Sequence, residues 1–477
     1  MNRRCFLQRA ALAFLALPYV TCQKRKNPNI LFIAVDDLRP ELACYGEEQI
    51  VSPNIDRLTQ EGIRFNRSHC NVPVCGASRA SLLTGVRPLW DRFVTYDDYA
   101  DKHLPGHLSL PRYLKQNGYI TLSRGKVYHH RDDDLAGWSE TPWFPTGNWQ
   151  GWQAYIDPKS EIIDNPRDGQ PSRIAGPAWE SPDVEDSAYP DGKIAEKAVD
   201  DLHGLAQKDQ PFFLAVGFLK PHLPFNAPKK YFDLYDRDKI ELADNPYIPR
   251  DAPRESIHNS GELRNGYIGV PESTPLPDDY ARRLVHGYQA CVSYTDAQIG
   301  KLLNTLDQLG FTDNTVVILW GDHGWNLGEH TMWCKHNNYE TSLRAPIIVK
   351  APWIKGGKVS NALVEFVDIY PSLVELCGLP VPEHCEGSSF VPLMKNPERK
   401  WKQAVFSRWI KGDTITTERF QYTQWRAEKD GPVTARMLYD HDRDPDENVN
   451  VAESPEYKEH VDKLADMLRQ GWKAFQM

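Results

Sequence analysis

Hydrophobic and polar positions along the chain follow two alternating patterns. Continuous apolar runs rich in β-branched residues predict strands buried on both faces, at residues 29–35, 119–123, 211–218 and 314–320. Apolar stripes at helical spacing predict helices over residues 109–118, 192–207 and about 280–309. Because strands alternate with helices, we expect an α/β fold with a large, mostly parallel sheet between helices.

The pattern changes near residue 398. Short segments predict a small antiparallel sheet at residues 404–410, 419–427 and 435–452, and an amphipathic helix closes the chain within 455–475. We therefore expect a large domain, 27–397, and a C-terminal subdomain, 398–477. Two stretches, 139–192 and 236–279, interrupt the alternation of strands and helices in the large domain. Both are rich in Pro, Gly, Asn, Asp and Trp. Loops of that length usually form the walls or lids of a functional site.

The first 26 residues have the pattern of an export signal. A basic start containing Arg3 and Arg4 precedes the apolar run 11–20, which is too short to span a bilayer. The two arginines resemble a twin-arginine signal. Cys22 stands where a lipoprotein cysteine would, although the preceding residues fit the usual lipobox poorly, so a lipid anchor stays an alternative. We expect an exported protein, periplasmic, membrane-anchored or extracellular in a bacterium.

Composition and charge narrow the classes of partner. The chain has 477 residues, 40% apolar and 25% charged, as in a globular protein. Cleavage before Cys22 removes three arginines and no acid, so the net charge falls from −9 to −12. An acidic surface argues against nucleic acid as a partner, and an anionic substrate then needs a local basic site. Seven cysteines follow the signal, without zinc-site spacing, and pairing of Cys377 with Cys385 stays open.

Charged and titratable residues follow each of the four predicted parallel strands. In chain order, the residues after the strands are Asp36 and Asp37; Lys126 and His129; Lys220 and His222; and Asp322 and His323. The carboxyl ends of strands in an open α/β sheet face one crevice, so we expect these groups to converge. Any one of them could simply cap a turn or lie in solvent, but four coincidences favour a common site.

The residue types in this cluster indicate a metal and an anionic substrate. Asp36, Asp37 and Asp322 would repel one another unless a cation lay between them, and oxygen ligands favour calcium or magnesium over zinc. Positive charge and titratable protons surround them, from Arg79, Lys126, Lys220, Lys335, His129 and His222. A metal with surrounding cations suits an oxyanion ester, either phosphate or sulfate.

One motif distinguishes between these esters. Residues 75–79 read CGASR, and Cys75 stands just before a helix that we expect to start near Ser78. The motif resembles the C-x-P/A-x-R signature of the type I sulfatases, and 78–85, SRASLLTG, resembles its continuation. The resemblance implies that Cys75 is oxidised after translation to formylglycine. Ala77 stands where the commoner form has Pro, which implies a maturase of the radical, oxygen-independent type. An inert core cysteine is the ordinary alternative for a lone Cys.

Longer segments extend this resemblance over nearly the whole mature chain. The segments that resemble the iduronate-2-sulfatase branch are VDDLRPELACYGEEQIVSPNIDRL, GKVYHH, FLAVGFLKPHLPF and DHGWNLGEHTMWCK. The branch implies an alkaline-phosphatase-like fold and one Ca²⁺ per chain, bound by Asp36, Asp37, Asp322, His323 and an oxygen of modified Cys75. It implies that Arg79 and Lys126 hold the formylglycine hydrate and the sulfate. The remaining implied roles are acid/base for His129, sulfate and leaving-oxygen contacts for His222 and Lys335, and a sugar subsite for Trp325.

The implied activity is hydrolysis of sulfate esters of sulfated glycans through a covalent sulfo-enzyme intermediate. The branch points to a 2-O-sulfate on a terminal uronic acid, whose carboxylate calls for further cations, with Lys220, Lys335 and His336 as candidates. Three alternatives remain. They are a phosphatase or phosphodiesterase with a Ser or Thr nucleophile, a phosphonate monoester hydrolase that also carries formylglycine, and a glycan-binding lipoprotein without activity.

Overall fold

The computed structural model describes residues 27–146, 154–164 and 174–477. The predicted export signal and two parts of the first long loop lie outside these residues. The strands in chain order are β1 (Asn29–Val35), β2 (Ile63–His69), β3 (Ile120–Gly125), β4 (Ile163–Asp164), β5 (Ile174–Ala175), β6 (Trp179–Glu180), β7 (Phe212–Phe218), β8 (Phe225–Asn226), β9 (Thr315–Gly321), β10 (Asn326–Leu327), β11 (Trp333–Cys334), β12 (Ile347–Lys350), β13 (Lys358–Glu365), β14 (Ala404–Trp409), β15 (Gly412–Thr417), β16 (Phe420–Arg426) and β17 (Val433–Asp440).

Twelve α-helices complete the regular structure of the described residues. They are α1 (Pro53–Glu61), α2 (Cys75–Thr84), α3 (Ala100–His103), α4 (Leu110–Gln116), α5 (Pro190–Leu205), α6 (Lys229–Phe232), α7 (Gly261–Gly266), α8 (Asp278–Gln308), α9 (Glu340–Leu343), α10 (Ile369–Leu376), α11 (Val391–Lys395) and α12 (Lys458–Gln470). The three helices predicted in the large domain are confirmed as α4, α5 and α8.

Seven strands form the main sheet, in the order β13-β2-β12-β9-β1-β7-β3. Neighbours are parallel except at β12, which runs antiparallel to both β2 and β9. The four strands predicted from apolar runs are β1, β3, β7 and β9, and they are consecutive in the sheet. Their carboxyl ends therefore lie side by side, as an active site at this edge requires.

Two hydrophobic cores, one on each face of the sheet, explain why these strands are apolar throughout. Successive side chains of β1 point to opposite faces. Leu31, Ile33 and Val35 pack in one core with residues of α5 and α8. Ile30, Phe32 and Ala34 pack in the other with residues of α2, α4 and α10. The predicted fold, a mostly parallel sheet between helices, is confirmed.

A second sheet near the carboxyl terminus is antiparallel, in the order β14-β15-β16-β17. Helix α12 packs on it through Val461, Leu464 and Met467. The small antiparallel subdomain is therefore confirmed, with β15 as an additional strand. The seven cysteines of the described residues are free, Cys377 and Cys385 included. Within the described ranges, no helix combines the length and apolar character needed to cross a membrane.

Candidate active site

Three carboxylates meet where β1 and β9 end. One oxygen each from Asp36, Asp37 and Asp322 lies within 4.8 Å of the others, and all three side chains are buried. The backbone of Asp37 takes a positive φ of 58°. Its N–H donates to Asp322 Oδ1 at 3.0 Å, and its carbonyl accepts from the Tyr288 hydroxyl at 2.9 Å. The first bond joins the ends of β1 and β9, and the second joins Asp37 to α8, so the structure brings these three predicted residues together.

Helix α2 brings Cys75 to this cluster. The helix begins at Cys75, three residues before the predicted start near Ser78, and all ten of its residues are buried. A side chain at Gly76 would place Cβ 2.2 Å from the Tyr96 carbonyl oxygen, which explains the glycine after the cysteine. The Ser78 hydroxyl donates to the Asp322 carbonyl at 2.6 Å and so joins α2 to β9. Cys75 therefore lies at the amino-terminal end of a helix, where free N–H groups favour an anion.

Two buried cations neutralise the carboxylates from the side of α2 and β3. Arg79 Nε donates to Asp322 Oδ2 at 2.8 Å, and its Nη2 lies 3.3 Å from Asp36 Oδ1. Arg79 also donates to the carbonyls of Lys126 and Val127. Lys126 pairs with Asp36. Burial would lower the pKa of Lys126, but Asp36, Cys75 and Asp322 together outweigh it and raise the pKa. Both side chains are therefore positively charged. The guanidinium of Arg79 binds carboxylates and backbone carbonyls of the protein, which fix its position.

His323 completes a donor set that fits a divalent cation. Its Nδ1 contacts the Gly324 carbonyl at 2.9 Å. Its buried Nε2 makes no hydrogen bond among the described residues, yet lies 3.3 Å from Asp37 Oδ1. Burial raises the pKa of Asp37 to about 7, a cost that a cation between the carboxylates would remove. Three carboxylates, an imidazole and the Cys75 side chain therefore lie close enough together to hold a divalent cation.

A second cluster lies on the far side of Asp37. Lys335 Nζ is 3.1 Å from Asp37 Oδ1 and 2.8 Å from Glu262 Oε1. His222 Nε2 is 3.1 Å from the same Glu262 oxygen and 3.6 Å from Asp37 Oδ2. Burial would lower the pKa of Lys335, but Asp37 and Glu262 outweigh it and raise the pKa well above its ordinary value. The structure therefore joins His222 and Lys335, predicted as a pair, through two acids.

Glu262 was not predicted as a site residue from the sequence. It lies in α7, inside the loop 236–279 that was predicted to border a functional site. Burial would raise its pKa, but Lys335 and His222 hold the pKa well below its ordinary value. Its Oε2 is buried and makes no hydrogen bond within the described ranges. A single acid in an irregular loop belongs to no periodic sequence pattern. Its position in space depends on how the whole loop packs, so the sequence alone did not mark it.

His129 stands apart from these ion pairs. Its ring lies 6.2 Å from that of Tyr96 and 4.9 Å from that of His130, between ring centroids. Its Nδ1 is buried without a hydrogen-bond partner among the described residues. Burial, and then the charge of Lys126, lowers the pKa of His129 well below its ordinary value. The imidazole is therefore neutral near pH 7 and able to accept a proton.

Three other predicted residues have surroundings that differ from those expected. Lys220 Nζ donates to the carbonyls of His222, at 2.9 Å, and Pro224, so it binds backbone rather than facing a ligand. His336 stacks on Trp409, with ring centroids 4.9 Å apart. Burial lowers the pKa of His336 to about 3, so it adds no charge near pH 7. Trp325 is fully buried, with Lys335 Nζ 4.8 Å from its ring, so it supports Lys335 instead of lining an open subsite.

Comparisons with known proteins show which family the chain resembles. The family described as Sulfatase matches residues 28–379, and the family described as N-sulphoglucosamine sulphohydrolase, C-terminal, matches 328–474. The iduronate 2-sulfatase of Mus musculus is 35% identical over 404 residues, covering 76% of this chain and 71% of that protein.

Two solved structures show the same fold. One is of a protein in complex with its substrate D-glucosamine-2-N,6-O-disulfate, with a TM-score of 0.74 and 23% identity over 94% of this chain and 98% of that one. The other is the phosphonate monoester hydrolase of Agrobacterium radiobacter, with a TM-score of 0.74 and 22% identity over 93% of this chain and 95% of that one. At these identities the likeness shows the fold alone.

The fold and the site define a hydrolase of oxyanion esters with a carboxylate site for a divalent metal. The family match covers more than half of the chain, and the mouse relative exceeds 30% identity. The chain belongs to the sulfatase family, in its iduronate-2-sulfatase-like branch, and is a sulfuric ester hydrolase.

Proposed function

We propose that this enzyme is an exported sulfatase that removes the 2-O-sulfate from a terminal uronic acid of a sulfated glycan. We further propose that Cys75 is matured to formylglycine and that Asp36, Asp37, Asp322, His323 and residue 75 bind one Ca²⁺. The observation that carries the proposal is the position of Cys75 at the start of α2, with its Sγ within 4.8 Å of ligand atoms of Asp37 and His323. The uronate specificity is supported by the identity to iduronate 2-sulfatase.

Formylglycine and Ca²⁺ would supply part of the chemistry, and the chain's own residues supply the rest. A hydrated formylglycine would supply an oxygen nucleophile, and Ca²⁺ would offset the charge of the sulfate. Lys126, which is buried and charged, can contact a sulfate oxygen near residue 75. His222 Nδ1 donates to the Leu223 carbonyl at 2.7 Å, so a proton at Nε2 makes it a cation. His222 Nε2 and Lys335 Nζ can then donate to the departing sugar oxygen, while neutral His129 accepts a proton.

A panel of defined disaccharides tests the specificity. Sulfate release from 2-O-sulfated uronates should exceed that from 6-O-sulfated and N-sulfated controls by about 10²-fold or more, since a site shaped for one ester position misplaces the others. Removal of 6-O- or N-sulfate with the 2-O-sulfate untouched would contradict the specificity and leave the sulfatase activity intact. A matched phosphonate monoester completes the panel. Its hydrolysis without any sulfate release would contradict the sulfatase proposal itself.

Glu262 should limit how tightly the site binds an anion. In Glu262→Gln the side chain keeps its size but loses its charge, so Lys335 and His222 present more positive charge to a sulfate. We expect inorganic sulfate to inhibit this variant about tenfold more strongly. The free energy of that change is smaller than the full Coulomb energy between two charges a few ångströms apart near a protein surface. The measurement is the inhibition constant for sulfate in the matured enzyme.

Glu255→Gln is the matched control for this prediction, because Glu255 is an exposed acid of the same loop. It changes the net charge equally and should leave the inhibition constant unchanged. Equal inhibition constants for Glu262→Gln and the unsubstituted enzyme would show that Glu262 does not face the sulfate position.

A further inference from the structure

A groove of about 590 Å³ lies between the edge of the main sheet and the C-terminal sheet. Residues of β13, of the connecting segment 397–403 and of α12 line it, and it shares no residue with the carboxylate cluster. Its volume falls within the range of sites that hold small ligands or a few sugar units. The proposed sulfatase chemistry uses none of its residues.

The groove is basic although the chain as a whole is acidic. Six of its lining side chains are lysine or arginine, against two acids, Glu398 and Glu418. Two of the six are neutralised within the protein. Lys402 pairs with Glu365 and Asp368, and Arg419 pairs with Asp440. Four cations then face two acids, which is a local excess of positive charge on a chain with net charge −9.

Three of these four cations are available to a ligand. Arg399, Lys400 and Lys463 are exposed, and in the part of the chain that the structure describes none of them forms an ion pair. The fourth, Arg67, donates to the Thr417 carbonyl at 2.7 Å, which fixes its position at the groove. Exposed cations along a groove can each meet one anionic group of an extended ligand.

Aromatic residues add a second, independent feature. Trp401 lines the groove and is only 9% exposed, and its buried Nε1 has no hydrogen-bond partner among the described residues. Because Nε1 is itself buried, a ligand in the groove does not reach it, and Trp401 contributes aromatic surface rather than a hydrogen bond. Phe420 also lines the groove and offers an apolar surface. Exposed cations beside aromatic surface fit a sugar chain that carries anionic groups.

We propose that this groove binds a segment of a sulfated polysaccharide, at a site separate from the catalytic one. The choice of a sulfated glycan over another polyanion rests on the proposed function, since the same polymer would supply the substrate. A polymer bound at the groove keeps its other parts near the enzyme, which raises their effective concentration at the active site. The groove would thus favour action on long chains without contributing to the chemistry.

Affinity electrophoresis of the full chain in gels containing dextran sulfate, with neutral dextran as reference, tests the proposal. The triple variant Arg399→Ala, Lys400→Ala, Lys463→Ala should bind dextran sulfate about tenfold more weakly, since each exposed charge pair contributes modestly. Its affinity should also depend less on salt. The control triple Lys193→Ala, Lys208→Ala, Lys355→Ala removes the same charge from exposed positions elsewhere and should bind like the unsubstituted protein. Equal weakening in both triples would overturn the proposal, because binding would then follow net charge alone.

Trp401→Phe gives a second measurement that does not depend on charge. It keeps an aromatic ring but removes part of the surface that lines the groove, so affinity for dextran sulfate should fall. Binding is measured well below the thermal transition, which should also fall because Trp401 packs in the core. Unchanged affinity in both Trp401→Phe and the groove triple would contradict the proposal. Sulfate release from disaccharides should be unaffected by the groove triple. Absence of release in every variant would instead count against the proposed function, and the binding result would stand on its own.

Discussion

Replacing Cys75 by alanine should abolish sulfate release, with a fall in kcat of about 10⁴-fold or more, the scale on which removal of a nucleophile acts. Cys75 is 3% exposed and lies at the start of a fully buried helix, so alanine fills most of its volume and the fold should persist. Unchanged circular dichroism and thermal transition would confirm this. Activity within tenfold of the unsubstituted enzyme would contradict the proposed role of Cys75.

Mass spectrometry gives the complementary result on the unsubstituted protein. Trypsin should release residues 68–79, SHCNVPVCGASR, which contain both Cys70 and Cys75. After coexpression with a radical-type maturase, we expect one alkylated thiol, at Cys70, and one aldehyde, at position 75. Cys70→Ala is the matched variant, because Cys70 is a buried cysteine of the hydrophobic core whose Sγ donates to the Ser342 carbonyl at 3.7 Å. It should retain activity. A fully active enzyme with two thiols in this peptide would contradict the maturation.

The strands that carry the site could be predicted because burial on both faces leaves an unbroken apolar run. Strand β2 alternates only at its start, where Arg64 stands between Ile63 and Phe65, continues with polar residues, and was not predicted. Strand β12 has only four residues, and β13 carries polar residues through its first half. Short or half-polar segments become strands here because neighbouring strands complete their hydrogen bonds, which local sequence does not encode.

The positions of the site residues could likewise be predicted only in part. Residues that directly follow buried strands, such as Asp36 and Asp322, could be located from the sequence because the sheet fixes where strand ends meet. The start of α2 was predicted too late because Ser78 has the preferred capping chemistry, whereas Val74 precedes the helix without a side-chain cap. Glu262 and the buried position of Trp325 depend on how the loop 236–279 and neighbouring segments pack. Such tertiary placement leaves no pattern in the sequence.

Removing calcium should abolish activity, with a loss of at least about 10³-fold that added Ca²⁺ restores. The carboxylates of Asp36, Asp37 and Asp322 lie within 4.8 Å of one another, so losing the cation leaves repulsion at the point where sulfate must bind. Asp322→Asn should act similarly, because it removes a ligand and the 2.8 Å partner of Arg79 Nε. The measurements are metal content and sulfate release before and after chelation. Full activity after exhaustive chelation would contradict the metal requirement.

Asp296→Asn is the matched control for Asp322→Asn. Asp296 is also a buried carboxylate, but it accepts from the Ile55 N–H at 2.8 Å and from Asn54, outside the carboxylate cluster. This variant should lose some stability and keep its calcium. If it loses calcium to the same extent as Asp322→Asn, the loss reflects general destabilisation.

The calcium affinity should depend on pH in a direction set by His323. Burial would lower the pKa of His323, but Asp322, Cys75 and Asp37 together outweigh it and raise the pKa to about 9. A protonated imidazole cannot bind a metal, so Ca²⁺ binding must release this proton. Affinity should therefore weaken as pH falls below 9, by up to about tenfold per pH unit for one proton, and more steeply below about pH 7, where Asp37 also gains a proton. Titration of calcium by isothermal calorimetry at pH 6, 7 and 8 in two buffers of different ionisation enthalpy measures both the affinity and the proton release. Equal affinity at all three pH values, with no proton released, would show that His323 is not a ligand.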